Sequence, residues 1–431
     1  MIRKSGKYNN YDIRSGISPH RSDSVWGPQF VKRLSGLFRK SWYGGINVVQ
    51  SYNWPQNQSP PPSPSTPRRP KRPVLVSDVL KEIFAFIALP NEQQPFGNLD
   101  KKTYKTLHSC LLVNRQWCQA AVQVLWRQPF FTRNDRAQIT MMELLLNALN
   151  PKLQQYLINK GIKIQPLNSA PAFDYSYFIK HIDFESFVDM VRKWSTRTFQ
   201  GGFAKDASFL VAKVVLGHIF SYSPGIERLR LSCFQGHSET NYFHEILLEP
   251  EIHVNLLQLK YLELSGQFYR EDNVLAGLSI SCKNVEYLQL GNWCLDSWCR
   301  NPEALGEDIN ALFKGLKNVE HLEIDSDKSF FPIPICVVDA FKHISNSLRH
   351  LRFRCIDFSS KTCMPLEGLA TCRKLETLEF IDCEQVGKRL LEPLNAESLP
   401  NLQRVRIDGC SEKDIRFWDW VDLVNGRRRS I

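Results

Sequence analysis

From about residue 175 onward, apolar residues fall in a six-residue pattern, apolar-x-x-apolar-x-apolar, and the pattern returns eight times. It reads IKHIDF at 179, IERLRL at 226, LKYLEL at 259, VEYLQL at 285, VEHLEI at 319, LRHLRF at 348, LETLEF at 375 and LQRVRI at 402. The last six intervals are 33, 26, 34, 29, 27 and 27 residues. The final two apolar positions of each motif alternate, which predicts a short strand with one buried face. Turn residues stand just before several motifs, as in SPGIERL, CKNVEYL, LKNVEHL and LPNLQRV. The spacers SFLVAKVVLGHIF, EALGEDINALFKGL and VVDAFKHIS read as helices, and the 47-residue first interval has room for an additional one. One such unit cannot bury its apolar face alone, but a stack of them buries a continuous core. The prediction is a parallel sheet with helices on one side and an open face on the other.

Ahead of the repeats the period changes to that of helices. VLVSDVLKEIFAFIAL (74–89) is apolar at Leu75, Val79, Leu80, Ile83, Phe84, Phe86 and Ile87, with Ser77 or Asp78 available at its start. YKTLHSCLLVNRQWCQAAVQVLWRQPFF (104–131) follows a polar loop. Within it Val113, Trp117, Ala121 and Val124 share one helical face, the pattern of a core helix. ITMMELLLNALN (139–150) is a further amphipathic helix.

Charge divides the chain differently. The net charge is +11, and residues 1–73 account for it with 13 Lys and Arg against Asp12 and Asp23; the remainder holds 42 bases and 42 acids. A basic body would imply a nucleic-acid surface, whereas a basic tail implies an address, a tether or a solvated linker. The tail ends in NQSPPPSPSTPRRPKRP, whose prolines favour extended backbone. RRPKR (68–72) fits a nuclear localisation signal, and Ser59, Ser63 and Thr66 each precede proline. FVKRLSGLFRKSWYGG (30–45) has a basic amphipathic pattern that suits a partner or an anionic membrane, and the same region suits a mitochondrial transit peptide. Nothing at the start resembles a secretory signal, and no run of 18 apolar residues spans a membrane. The 12 cysteines are scattered without a CxxC pair, so reduced thiols in the cytoplasm or nucleus are expected.

Catalytic motifs are missing: there is no HExxH, GxSxG or P-loop. His237 and His244 lack the neighbours of a metal site, and Cys294 and Cys299 are too isolated for zinc. The expectation is a non-enzyme without cofactor or metal.

The repeat motif resembles the leucine-rich repeat over about 180–425. Cys383 and Cys410 follow the last apolar position by three residues, similar to the cysteine-containing subtype; Cys233 and Cys355 sit one residue early. LVSDVLKEIFAFI looks like the first helix of an F-box, with Leu75, Asp78, Val79, Leu80, Ile83 and Phe84 matching in type and Val76 where proline is usual. LHSCLLVNRQW resembles the later F-box segment, and AAVQVLWRQPFF the ending common in fungal F-box proteins. The loop between the two, about 88–106, is longer than in a compact F-box.

The resemblance implies an α/β chain of five parts: a disordered basic tail (1–73), an F-box (74–131), a helical linker (132–174), leucine-rich repeats (175–425) and a basic end (426–431). It implies a non-catalytic substrate-recognition subunit of a Skp-cullin-F-box ubiquitin ligase. By carry-over, Leu75, Val79, Leu80, Ile83, Phe84 and Val113 meet the Skp-type adaptor, which joins the cullin scaffold. Trp117 lies either at that interface or inside the module. The repeat register puts His181/Asp183, Arg228/Arg230, Tyr261/Glu263, Tyr287/Gln289, His321/Glu323, His350/Arg352, Thr377/Glu379 and Arg404/Arg406 on the open face, where a protein substrate would bind. Their signs are mixed, which suits a protein with patterned charge better than nucleic acid. Two alternatives stand beside this reading: an interaction scaffold outside any ligase, whose helical block is only a cap, and a nuclear nucleic-acid-associated protein that uses its tail.

Overall fold

A computed structural model describes residues 77–88, 100–131, 134–167, 171–199, 203–233, 245–266, 274–291, 302–326, 335–358, 366–391, 393–394, 398–410 and 426. The basic tail with its RRPKR and 30–45 stretches, Leu75, the pairs His237/His244 and Cys294/Cys299, and residues 427–431 lie outside them. Among the described residues no helix is long and apolar enough to cross a membrane.

All eight motifs form strands. They are β1 (His181–Asp183), β2 (Arg228–Cys233), β3 (Tyr261–Gly266), β4 (Tyr287–Gly291), β5 (His321–Asp325), β6 (His350–Arg354), β7 (Thr377–Ile381) and β8 (Arg404–Asp408). They make one parallel sheet in chain order. The register is the motif's own: His181, Arg228, Tyr261, Tyr287, His321, His350, Thr377 and Arg404 pair in succession. The apolar anchors on either side of each motif's third residue explain this. Ile179, Ile226, Leu259, Val285, Val319, Leu348, Leu375 and Leu402 are buried, as are Ile182, Leu229, Leu262, Leu288, Leu322, Leu351, Leu378 and Val405. A one-residue slip would turn each strand's alternating side chains over, exposing the anchors.

The backbone repeats the same device at every step. The carbonyl of each motif's second residue accepts from two consecutive N–H groups of the next: Lys180 from Glu227 and Arg228, Glu227 from Lys260 and Tyr261, and so on to Glu376 from Gln403 and Arg404. Asparagines before the motif add a rung. Asn284 Nδ2 donates to Leu257 O at 2.7 Å, Asn318 to Lys283 O at 3.3 Å and Asn401 to Arg373 O at 2.9 Å.

The N-terminal helices are α1 (Ser77–Ile87), α2 (Lys101–Cys110), α3 (Arg115–Leu125), α4 (Asp135–Ala148) and α5 (Pro151–Asn159). Local chemistry sets their starts. Asp100 accepts from the Lys102 and Thr103 N–H groups, Asn114 from Trp117, Asn134 from Ala137, and Asn150 from Leu153 with Pro151 at the first helical position. The long first interval holds two helices, α6 (Phe184–Thr198) and α7 (Phe203–Tyr222). Later crossovers carry α8 (Pro250–Leu256), α9 (Val274–Ser281), α10 (Pro302–Gly315), α11 (Ile335–Ile344) and the single turn α12 (Lys388–Leu391). Gly315 lets α10 close against α9, because a Cβ there would collide with the Ser279 carbonyl. The anchors and the buried helix faces form one continuous core.

Candidate functional site

Two surfaces correspond to the predicted positions. The first is on the helical module, where α1 packs against α3. Leu80 and Phe84 are 2% and 1% exposed, and the Phe84 ring meets Trp117 edge to face at 5.4 Å. These two expected adaptor contacts are therefore core residues. α3 packs on α1, and the half-buried Trp117 lies against Phe84. The expected contacts that reach water are Val79 (48% exposed), Ile83 (43%) and Val113 (57%). Phe86 (74%) and Leu112 (52%) belong with them, although the sequence motif had not singled them out as contacts. Val79, Ile83 and Phe86 follow one another at i, i+4 and i+7, one stripe of α1. Leu112 and Val113 lie in the turn between α2 and α3.

The module is joined to the sheet by hydrogen bonds. Arg127 O accepts from the Lys180 and His181 N–H groups, each at 2.9 Å. That is the bond pair every strand makes with its predecessor, so the LWRQPFF stretch occupies the place of a unit before the first. Side chains reinforce it. Arg127 Nε donates to His181 Nε2 at 3.2 Å, and its guanidinium pairs with Glu227. Trp126 packs on Tyr175 at 4.2 Å and Phe130 on Phe187 at 5.3 Å.

Neither a family model nor a curated protein matches this chain.

The second surface is the open sheet face, which carries all the predicted substrate positions. The row formed by the third residue of each motif carries a stack of four rings at its centre. Tyr261 lies on Tyr287 at 4.6 Å, Tyr287 on His321 at 5.8 Å, and His321 on His350 at 4.3 Å, with interplanar angles of 11°, 18° and 13°. Arg228 sits 5.6 Å above Tyr261 at the near end. Parallel strands about 4.8 Å apart hold rings in register at this spacing.

The next row reads Asp183, Arg230, Glu263, Gln289, Glu323, Arg352, Glu379, Arg406. Its charges largely answer one another. Arg230 lies 3.6 Å from Asp183 and 2.9 Å from Glu263. Arg352 lies 3.4 Å from Glu323 and 2.7 Å from Glu379. The two rows are laced together: Tyr261 donates to Gln289 and Tyr287 to Glu323, both at 2.7 Å. In the third row Arg354 faces Asp325 at 3.7 Å. The carboxylates are sunk, with Asp183, Glu263, Glu323 and Glu379 all under 9% exposed, and the arginines lie over them.

Burial pushes the Glu263 carboxyl up to about 7, against the pull of Arg230. Burial also raises Asp183 and the Tyr261 and Tyr287 phenols. It lowers His181 and His321, the latter with help from its neighbour His350. Among the described residues no cluster of three or more His, Cys, Asp or Glu could hold a metal ion. Of the predicted substrate positions, Arg352, Arg404 and Arg406 are the exposed ones, at the β6–β8 end.

Proposed function

We propose that this chain is a substrate-recognition subunit of a Skp-cullin-F-box ubiquitin ligase. In this reading the helical module is an F-box, the repeats are leucine-rich repeats, and the open sheet face receives a protein substrate in the cytoplasm or nucleus. The chain performs no chemistry itself and needs no cofactor; it holds one protein beside the machinery brought by another. One observation carries the reading: five large apolar side chains, Val79, Ile83, Phe86, Leu112 and Val113, stand in water on a small helical module. Fully burying each would stabilise a complex by roughly 1.5–3 kcal/mol, and half that for those already half covered. The joint at Arg127 supports the same role, since it ties the module to the sheet without a flexible linker.

The test is co-purification of the full chain with a Skp-type adaptor. Ile83→Asp and Val113→Asp should abolish it while leaving thermal unfolding of the chain nearly unchanged, because both side chains are already exposed. Leu80→Asp is unsuitable, since a buried charge would unfold the module. An adaptor that fails to bind the wild-type chain, or binds both variants as well as wild type, refutes the proposal.

The same joint favours a second reading, an interaction scaffold outside any ligase. Arg127 O and Phe130 close the exposed end of the core, which is what a solenoid cap does. A cap leaves the five exposed apolar residues unexplained, so the adaptor test separates the two.

A further inference from the structure

The last two repeats place two thiols side by side. β7 and β8 pair from Thr377↔Arg404 through Ile381↔Asp408, and the Asp382 N–H continues the ladder to Asp408 O at 2.7 Å. Cys383 and Cys410 stand two residues beyond the last pair, in the same column of neighbouring units. Paired parallel strands lie about 4.8 Å apart, inside the Cα separation of roughly 4.4–6.8 Å that a disulfide requires. Both sulfurs lean toward the same backbone turn: Cys383 Sγ lies 3.3 Å from Ile381 O, and Cys410 Sγ 3.7 Å from Phe380 O. Both are free thiols; Cys383 is buried, whereas Cys410 is only half-buried.

We propose that Cys410 and Cys383 form a reversible disulfide in response to a hydroperoxide, with Cys410 as the attacking thiol and Cys383 as the resolving one. The Cys410 thiolate attacks a peroxide oxygen, the O–O bond breaks, and hydroxide leaves as a sulfenic acid forms on Cys410. The Cys383 sulfur then attacks that sulfenic sulfur. The S–S bond forms, the S–O bond breaks, and the departing hydroxide takes the Cys383 proton as water. Two thiols lose two electrons and hydrogen peroxide, gaining them, becomes two waters.

The electrostatics assign the same roles. The neighbouring Cys383 thiol, hydrogen-bonded to Cys410, lowers the Cys410 thiol from its ordinary value and so favours its thiolate. Cys383 is held up, by Cys410 first and by burial next, which suits a thiol that waits for its partner's oxidation. The buried Cys282 and Cys372, each pushed up to about 12 by burial, serve as internal controls.

The experiment treats the reduced full chain with hydrogen peroxide, alkylates free thiols, and maps peptides by mass spectrometry. Wild type should lose alkylation of Cys383 and Cys410 together and yield one cross-linked peptide, lighter by two hydrogens and split by dithiothreitol. Cys282 and Cys372 should stay alkylated. Cys383→Ser should stop at a sulfenic acid on Cys410 that dimedone traps, and Cys410→Ser should leave Cys383 unreactive. Should either variant misfold, the wild-type time course alone still decides. The inference is overturned if no cross-linked peptide appears, or if dimedone labels wild-type Cys410 as fully as it does in Cys383→Ser.

Discussion

The helical module and the open sheet face spend their surfaces in opposite ways. The module leaves apolar side chains in water, with Ile83 and Val113 both more than 40% exposed. The sheet face does the reverse, sinking its carboxylates and setting arginines and phenols over them. An apolar patch gains free energy from any surface that covers it and is indifferent to fine detail. A prepaired polar lattice gains little from being covered, because a partner must replace bonds already made. Under the proposed function, the first arrangement would serve the constant adaptor and the second discrimination among substrates.

The contrast can be tested on both sides. Its largest expected effect lies beneath the apolar patch. Phe84→Ala should cost about 3–5 kcal/mol, the range for an aromatic side chain lost from a packed core, and should loosen Trp117. Comparing chemical denaturation of this variant with that of Ile83→Asp separates the two sides of α1, and equal losses would show that the patch is part of the core. On the sheet face, protonation of Glu263 is the strongest lever. Its folded pKa of about 7 lies above the ordinary 4.5, so the folded state holds the extra proton between those values. Its contribution to stability is therefore greatest below pH 4.5 and disappears as pH rises through 7, by at most about 3 kcal/mol. Glu263→Gln should remove that slope from thermal melts collected across pH 4.5–7; an unchanged slope would mean that the carboxylate is better solvated than its burial implies. The smallest effect expected is at Arg352. Arg352→Ala leaves Glu323 and Glu379 without their shared cation, but its side chain is 44% exposed, so the loss should be about 1–2 kcal/mol in urea. A gain in stability instead would show that the lattice is maintained for recognition and not for folding.

The eight strands and their register were readable because a six-residue motif carries its own alignment: matching motif positions is the same operation as pairing Arg228 with Tyr261 and Tyr261 with Tyr287. The helix starts were readable for a similar reason, since Asn114 and the Asn150–Pro151 pair act on residues within the next turn. The division of labour along α1 was not. Val79, Leu80, Ile83 and Phe84 are all apolar, and which of them faces inward depends on where α3 lies. The exposure of Phe86 and Leu112 depends on the same packing and is not marked by the local pattern. The ion pairs of the second row were legible in principle, because Asp183, Arg230 and Glu263 occupy one motif position in successive units. The joint at Arg127 had no signal of its own, since a carbonyl receiving two bonds from Lys180 and His181, far downstream in the chain, leaves no mark on side-chain choice.

That joint turns the molecule into a gauge. With Arg127 O filling the acceptor position of a unit before β1, whatever grips the helical module is registered to the first strand and, through it, to each strand after that. Position along the sheet is then graduated in steps of about 4.8 Å. Under the proposed function, inserting or deleting one unit would shift a protein held on the sheet by one graduation relative to the helical module and rotate it by the twist of one strand pair. Reach and angle are thereby encoded as a count of units.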